Sequence, residues 1–230
     1  MHFTTVKKRH VLNIFGAMWE KDRSFTILLL ILLVYIFVVI PFVPETRLGG
    51  IASSAFFLLL LSSGFITVLE GKTTFIVSIL ALPVCLFGLT VFILKGTRLT
   101  IALDLFHVAY CIALAGIILV KTFAGGEMSI RRIEGAIGGY LLIGLIFSLV
   151  YHAIFKAIGQ TAFNGLQGYG RNEFMYFSIT TLTTVGYGDI TPVAALARSL
   201  SNLEAIIGQL YPAILIARLV SLQIIYDTRE

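Results

Sequence analysis

Two glycines spaced two residues apart, Gly186 and Gly188, lie in the segment Thr184–Asp189, whose sequence is TVGYGD. Glycine readily adopts left-handed backbone conformations that other residues avoid. A chain that alternates left- and right-handed conformations turns successive carbonyl oxygens toward one axis, and the Thr184 hydroxyl adds an oxygen at one end. When four chains surround the axis, such oxygens can replace the water shell of a dehydrated potassium ion.

The TVGYGD segment, together with the preceding Thr183, resembles the selectivity filter of potassium channels. The resemblance covers residues 140–220, which would form an outer helix, a pore helix, the filter and an inner helix. It implies that Asp189 lies at the outer mouth and is bonded behind the filter, and that Thr183 supports the filter. The implied potassium ligands belong to the strand Thr184, Val185, Gly186, Tyr187 and Gly188.

The residues before this segment predict a helix that enters the membrane only partway. Residues 156–171 are rich in glycine and polar residues and predict an outer loop, and residues 172–183 predict a short helix. Asn172 is its predicted N-cap, and Glu173 adds a favourable negative charge to its first turn. About ten helical residues span about half a bilayer, so the chain must return through the TVGYGD segment.

The aromatic residues of this short helix depart from the family pattern. Many potassium channels place a tryptophan here, packed against the filter tyrosine and the outer aspartate. The only tryptophan of this chain is Trp19, and Tyr176 and Phe177 occupy the equivalent stretch. We therefore expect an altered aromatic cuff, which changes the rigidity of the filter and its resistance to inactivation more than its selectivity.

The composition places the whole chain in a membrane. Hydrophobic residues make up 58% of the 230 residues and charged residues 13%, and the mean hydropathy is +0.96. This composition excludes a soluble domain and intrinsic disorder. The net charge of +5 is interpreted as the basic flanks that orient membrane helices, without a nucleic-acid partner. Cys85 and Cys111 lie in apolar runs and are predicted to be buried thiols.

Six apolar stretches are long enough to be transmembrane helices. The distribution of lysine and arginine favours cytoplasmic N- and C-termini in the cell membrane. The predicted fold is an all-α integral membrane protein with six transmembrane helices, a re-entrant pore helix and a filter per subunit, assembled as a homotetramer. The predicted spans are residues 25–43, 51–69, 73–94, 101–120, 136–155 and 193–225.

Three domains follow from these spans. Residues 1–23 form a basic cytoplasmic segment, which is either an amphipathic helix on the inner leaflet or a basic tail. Residues 24–124 form four helices placed like a voltage-sensor domain, and residues 125–230 form the pore domain. A voltage sensor needs arginines at every third position of its fourth helix, and residues 101–120 contain none. Gating is therefore expected to be largely independent of voltage.

Polar residues inside two of the spans are further candidates. Asp104 and His107 share one face of the fourth span and form either a packing contact or a pH-sensing pair, and Arg98 is a second possible partner of Asp104. Glu204, in the last span, either supports the filter from behind, bonded to a threonine or a neighbouring subunit, or attracts ions.

The last span also contains a candidate gate. Gly208 and Pro212 form either a hinge or, for Gly208 alone, a site of close packing against the pore helix. Ile216 and Val220 are a candidate hydrophobic constriction, on a face shared with Ala205 and Gln209. Arg198, near the outer end, is expected to pair at a subunit boundary.

The sequence thus predicts a potassium-selective channel that is not an enzyme and needs no cofactor besides the potassium ions in its filter. It contains no nucleophile–base constellation, metal motif or nucleotide-binding loop. Three alternatives remain open: a less selective cation channel of the same fold, a potassium transporter subunit, and a non-conducting partner of another channel. Transporter subunits resemble four fused pore modules with one glycine per filter, whereas this chain has one module with two filter glycines.

Overall fold

The computed structural model describes residues 26–43, 57, 60, 97–123, 130–168 and 170–227. The predicted N-terminal segment and the predicted second and third spans lie outside these residues, apart from Phe57 and Leu60. The other four predicted spans all coincide with helices. The helices are α1 (Thr26–Phe42), which includes a π-helical turn at Tyr35–Val39, α2 (Thr97–Phe123), α3 (Ile130–Ile158), α4 (Arg171–Leu182) and α5 (Ala195–Asp227).

Two of the described helices are long and apolar enough to cross a membrane. They are Arg132–Ile158 within α3 and Ala195–Arg218 within α5. The apolar parts of the other two long helices, Thr26–Phe42 and Asp104–Val120, are shorter. Both α3 and α5 are mostly apolar over a length that suffices to cross a bilayer, since a helix rises about 1.5 Å per residue.

Helices α2 and α3 form an antiparallel pair that packs with α1. Asp104 near the start of α2 contacts Lys156 near the end of α3, and Leu119 near the end of α2 lies beside Gly139 in the first half of α3. Apolar side chains of all three helices make one buried cluster, which includes Leu32, Leu114 and Leu142.

A second buried cluster consists largely of aromatic side chains and fixes α4 against α3. The rings of Tyr151 and Phe177 meet edge to face with centroids 5.0 Å apart, and those of Phe163 and Phe174 with centroids 5.5 Å apart. Aromatic pairs favour this geometry because the positive ring edge faces the negative ring face. The cluster therefore holds the short helix in place from the side of the outer helix.

The outer loop is more ordered than its composition predicts. Helix α3 continues to Ile158, beyond the start of the predicted loop at Lys156. A 3₁₀ turn at Gln160–Ala162 follows, and then strand β1 (Phe163–Asn164) pairs antiparallel with strand β2 (Thr191–Pro192). This two-stranded sheet joins the chain before α4 to the chain after the TVGYGD segment. Helix α5 begins shortly after β2.

Candidate functional site

Helix α4 presents the TVGYGD segment at its C-terminal end. Its N-cap is Gly170 in an extended conformation, so the prediction of Asn172 as the N-cap is wrong, because α4 begins at Arg171. Glu173 lies in the first turn as predicted. Its Oε1 accepts hydrogen bonds from the backbone N–H of Gln167, at 3.1 Å, and of Gly168, which ties the preceding loop to the helix.

The chain reverses at the end of α4 and folds back over the last turn. The Ile179 carbonyl accepts two hydrogen bonds from Thr183, one from its hydroxyl at 2.7 Å and one from its backbone N–H at 3.0 Å. Two further backbone hydrogen bonds hold the returning chain: the N–H of Thr184 donates to Thr181 at 2.9 Å, and that of Gly186 to Thr180 at 3.1 Å. The helix therefore fixes the start of the TVGYGD segment.

Alternate residues of the TVGYGD segment have a left-handed backbone. The φ angles of Thr184, Gly186 and Gly188 are 60°, 53° and 80°, so the two glycines adopt the conformation that the sequence predicts for them. Thr184 was not expected to do so, and it is the one non-glycine residue with positive φ in the described part of the chain. Such a conformation costs a side-chain-bearing residue about 1–2 kcal/mol, and strain of this kind is typical of functional sites.

Tyr176 supports the segment from α4. Its ring stacks parallel to that of Tyr187, with centroids 6.2 Å apart. Its hydroxyl also faces the Asp189 carboxylate, with which it can form a hydrogen bond. Phe177 faces the other way, into the aromatic cluster beside Tyr151. Of the two predicted aromatic supports, Tyr176 alone contacts both Tyr187 and Asp189.

A cavity of about 360 Å³ joins α4, the TVGYGD segment and α5. In the single chain the residues of the segment are largely exposed, with 53% of Val185 and 71% of Tyr187 accessible. The cavity is lined by Phe177 and Thr180 of α4, by Thr184 and Gly186, and by Ser201 and Ala205 of α5.

Glu204 of α5 is completely buried and bridges three helices. The Tyr151 hydroxyl of α3 donates to Glu204 Oε2 at 2.6 Å. Ser178 Oγ of α4 lies within hydrogen-bonding distance of Glu204 Oε1, and it is 2.7 Å from the carbonyl oxygen of Gly144 on α3. The partners are thus a tyrosine and a serine of the same chain, in place of the expected threonine or neighbouring subunit. This buried position favours the supporting role over ion attraction.

Gly208 lies where α5 crosses the end of α4. A Cβ built on Gly208 would overlap the carbonyl oxygen of Leu182, and the Tyr140 hydroxyl donates to that same oxygen at 3.1 Å. Close packing, one of the two alternatives for Gly208, is therefore present in the structure. Helix α5 is continuous across Pro212, and the hinge stays a prediction.

The other candidate gate residues of α5 lie on its exposed side in the single chain. Ile216 is 61% exposed and Val220 is 53% exposed, and Gln209 and Pro212 are exposed as well. Arg198, expected at a subunit boundary, donates from Nε to the carbonyl of Pro192 in its own chain at 3.1 Å. This bond ties the start of α5 to β2.

Asp104 is buried, and its close charged partners differ from those expected. Its Oδ2 is 2.7 Å from Lys156 Nζ and 3.3 Å from His152 Nδ1, and its Oδ1 is 3.4 Å from Arg171. His107 instead packs its ring against Phe57, with centroids 4.3 Å apart. Asp104 thus belongs to an ion-pair cluster that joins α2, α3 and the first residue of α4, whereas His107 makes a packing contact, which is one of the two alternatives considered for these residues. The Arg98 side chain lies outside the described residues.

Sequence reasoning missed the partners because they lie far away along the chain. Ser178 places a hydroxyl group on a mostly apolar face of α4. The polar residues Tyr151, His152 and Lys156 interrupt the apolar sequence of α3. These polar residues were the available signal, since buried polar groups require partners. Their pairing depends on how the helices pack, which the local sequence does not specify.

Comparison with known proteins agrees with the position of this site. A family model described as "Ion channel" matches residues 139–223. The inward rectifier potassium channel Kirbac3.1 of Paramagnetospirillum magnetotacticum is 37% identical over 73 residues, which are 32% of this chain and 23% of that protein. No solved structure matches the chain.

Two further relatives are named Protein LctB. That of Bacillus caldotenax is 32% identical over 108 residues, covering 44% of this chain and 79% of the relative, and that of Geobacillus stearothermophilus is 33% identical over 82 residues, covering 36% and 60%. The chain thus spans less than a quarter of the inward rectifier but most of the first LctB protein. The chain belongs to the family of the LctB proteins and is a membrane protein with an ion channel domain at residues 139–223.

Proposed function

We propose that four copies of this chain form a potassium-selective channel, with their TVGYGD segments around a shared conduction axis. The observation that carries the proposal is the positive φ at Thr184, Gly186 and Gly188. Backbone that alternates in this way directs successive carbonyl groups to one side. The ions would be bound by the carbonyl groups of Thr184, Val185, Gly186 and Tyr187 and by the Thr184 hydroxyl, with Gly188 completing the strand.

The placement of the segment supports the same function. It lies between two helices long enough to cross a membrane, at the end of a helix of 12 residues that spans only about half a bilayer. Irregular backbone at membrane depth is tolerated where it lines a water-filled path or is buried in protein. A path for ions accounts for the irregular backbone and for its oxygen-rich sequence.

Four subunits are required because each chain contributes one strand of the filter. In the single chain little of the apolar stretch Ala195–Arg218 of α5 is buried, and the TVGYGD segment is exposed. Assembly around the axis would cover these surfaces, and the exposed face with Ile216 and Val220 would line the inner end of the pore. The two termini would be cytoplasmic, as the distribution of basic residues indicates.

A less selective cation channel of the same fold is the second candidate, and its reversal potential would distinguish it from a potassium-selective channel. A potassium transporter subunit is disfavoured by the two glycines Gly186 and Gly188 in a single pore module. A non-conducting partner of another channel would share the sequence features but would carry no current alone.

Recording from planar bilayers that contain only this purified chain tests the proposal. With potassium on one side and sodium on the other, the reversal potential should lie far toward the potassium equilibrium potential. A reversal potential near zero would identify the less selective channel. No current from the purified tetramer under any voltage or pH would reject a self-sufficient channel.

A further inference from the structure

We propose that the Glu204 carboxyl group is protonated in the folded channel and donates the hydrogen bond that fixes α4 between α3 and α5. Glu204 is then a positioning residue, which acts on the TVGYGD segment through Ser178. The protonation follows from the geometry of the single chain, and only its effect on conduction depends on the proposed function.

Counting protons in the hydrogen-bonded chain leads to this conclusion. Three oxygen–oxygen contacts follow one another: Tyr151 Oη to Glu204 Oε2 at 2.6 Å, Glu204 Oε1 to Ser178 Oγ, and Ser178 Oγ to the Gly144 carbonyl at 2.7 Å. Each contact needs one proton between its oxygens. The two hydroxyls supply one proton each and the carbonyl supplies none. The third proton must therefore belong to the carboxyl group.

An ionised carboxylate would leave one contact without a proton. If Ser178 donated to Glu204, its oxygen would face the Gly144 carbonyl at 2.7 Å with only lone pairs between them. If it donated to Gly144, the same conflict would arise with Oε1. The protonated acid resolves both cases, because Tyr151 donates to Glu204, Glu204 donates to Ser178, and Ser178 donates to Gly144.

The surroundings of Glu204 contain no compensating cation among the described residues. The titratable groups that face it are the tyrosines Tyr151 and Tyr140 of α3, and α4 contributes the neutral Ser178. A buried carboxylate without a positive partner is costly, so this environment stabilises the neutral acid.

The hydrogen-bonded chain reaches the TVGYGD segment through the last turns of α4. Ser178 stands two residues before Thr180, whose carbonyl accepts the N–H of Gly186. Displacement of Ser178 would therefore move the acceptor that holds Gly186. Since α3 and α5 both bond to Ser178 through this chain, the protonated acid sets the position of α4 relative to both helices.

Infrared spectroscopy of the purified protein tests the protonation directly. The difference spectrum between the wild type and Glu204→Gln should contain the carbonyl stretch of a protonated acid at neutral pH. Carboxylate bands in its place would overturn the proposal. Glu173→Gln is the matched control, because Glu173 accepts two backbone N–H groups, and its difference spectrum should show carboxylate bands.

Two variants test the direction of the hydrogen bonds and their effect on the pore. Ser178→Ala removes the acceptor of the Glu204 proton and should shift the carbonyl band of the protonated acid. An unshifted band would overturn the proposed hydrogen bond from Glu204 to Ser178. Glu204→Gln keeps one donor and one acceptor and should retain potassium flux, while Glu204→Ala should lose about tenfold or more.

The infrared spectra test the protonation of Glu204, and the flux measurements test the channel function. If Glu204→Gln lost as much flux as Glu204→Ala, the proposed hydrogen-bonded chain with a neutral Glu204 would be contradicted. Glu204→Gln alone decides this point, so poor assembly of Glu204→Ala would not obscure it. Absence of flux in the wild type would reject the proposed channel function, whereas the infrared difference spectrum would still decide the protonation of Glu204.

Discussion

The ring of Tyr176 lies parallel to that of Tyr187, at an interplanar angle of 2° and with centroids 6.2 Å apart. The centroid distance lies within the range in which paired aromatic rings attract each other. The hydroxyl of the same Tyr176 faces the Asp189 carboxylate. One side chain of α4 therefore holds two residues of the TVGYGD segment, where the family pattern leads one to expect a tryptophan.

Tyr176→Phe should weaken the outer end of the TVGYGD segment while leaving the stacked rings in place. The change removes the hydroxyl that faces the Asp189 carboxylate and keeps the aromatic face. We expect potassium current that decays several-fold faster during sustained recording, with an unchanged reversal potential, since a single hydrogen bond is worth a modest free energy. The measurement is the time course of current in planar bilayers.

The matched control is Asp189→Asn combined with Tyr176→Phe. If the two side chains act through one bond, the double variant should decay little faster than either single variant. Fully additive effects would show that the contact between Tyr176 and Asp189 does not support the segment.

Gly186→Ala should abolish potassium flux without dissociating the assembly. Gly186 has a φ of 53°, and a side chain in this conformation costs about 1–2 kcal/mol in each subunit. The strain can be released by rotation of the peptide, which would turn a carbonyl away from the axis. Flux from liposomes and the mass of the detergent-solubilised assembly measure the two effects separately.

Gly138→Ala is the control for that change. Gly138 lies within α3 and a Cβ there meets no atom within 4 Å, so flux should be retained. Equal loss of flux in both variants would indicate a general intolerance of the glycine positions, and normal flux in Gly186→Ala would contradict the filter assignment.

The helices of the pore region were predictable because their signals are local. Each signal comes from neighbouring residues of the sequence. These signals are the apolar length of α3 and α5, the short length of α4 and the glycine spacing of the TVGYGD segment. The boundaries differ by a few residues, as with α3, which begins at Ile130 rather than Ala136. This is the expected uncertainty of helix ends.

The contacts between helices could not be predicted in the same way. Asp104 and His107 share a helix face, but the partner of a buried carboxylate is decided by the helices that pack beside it. The structure places Lys156 next to Asp104, 52 residues further along the chain. Likewise, Glu204 is bonded to Tyr151, 53 residues earlier. Hydrophobic periodicity indicates which side chains are buried, but it does not indicate which of them contact each other.

Gly208→Ala should lower the stability of the folded protein. The added methyl group would overlap the Leu182 carbonyl oxygen, so α5 must move away from the end of α4. Overpacking of this kind costs about 1–3 kcal/mol. We expect a lower apparent melting temperature in detergent, together with altered flux.

Gly116→Ala provides the comparison, because a Cβ at Gly116 in α2 meets no atom within 4 Å. Its melting temperature should stay close to that of the wild type. A Gly208→Ala variant with normal stability but a changed open probability would instead support the hinge alternative.

Asp104→Asn should loosen the packing of α2 on the pore region. The substitution leaves the Lys156 ammonium, now 2.7 Å from Asp104 Oδ2, facing a neutral amide in a mostly buried site. Because the Asp104 carboxylate is buried and Lys156 is partly exposed, we expect a loss of about 2 kcal/mol. The apparent melting temperature measures it.

Replacing Lys156 by Met at the same time should recover part of that stability. The double variant removes both charges and keeps most of the side-chain volume, so the two effects should be less than additive. Additive losses would show that the Asp104–Lys156 pair contributes little and that the cluster is held by other contacts.

The distribution of charges along α2 predicts weak voltage dependence. Steep gating requires several charges per subunit that move through the membrane field, each worth about 2.3 kcal/mol per 100 mV. The sequence has no basic residue between Leu99 and Val120. Arg98 and Lys121 stand at the two ends of this stretch, where we expect the membrane potential to change little.

Asp104 is the one acidic residue within that stretch, and the structure fixes it in place. Its carboxylate contacts Lys156 of α3 and Arg171 at the start of α4, so movement of α2 would have to break these ion pairs. We therefore expect the open probability to change only weakly between about −100 and +100 mV. Ions that move within the TVGYGD segments would account for a shallow slope. A sigmoidal activation curve with a gating charge of several units per channel, measured on the purified protein, would show that other residues form a voltage sensor.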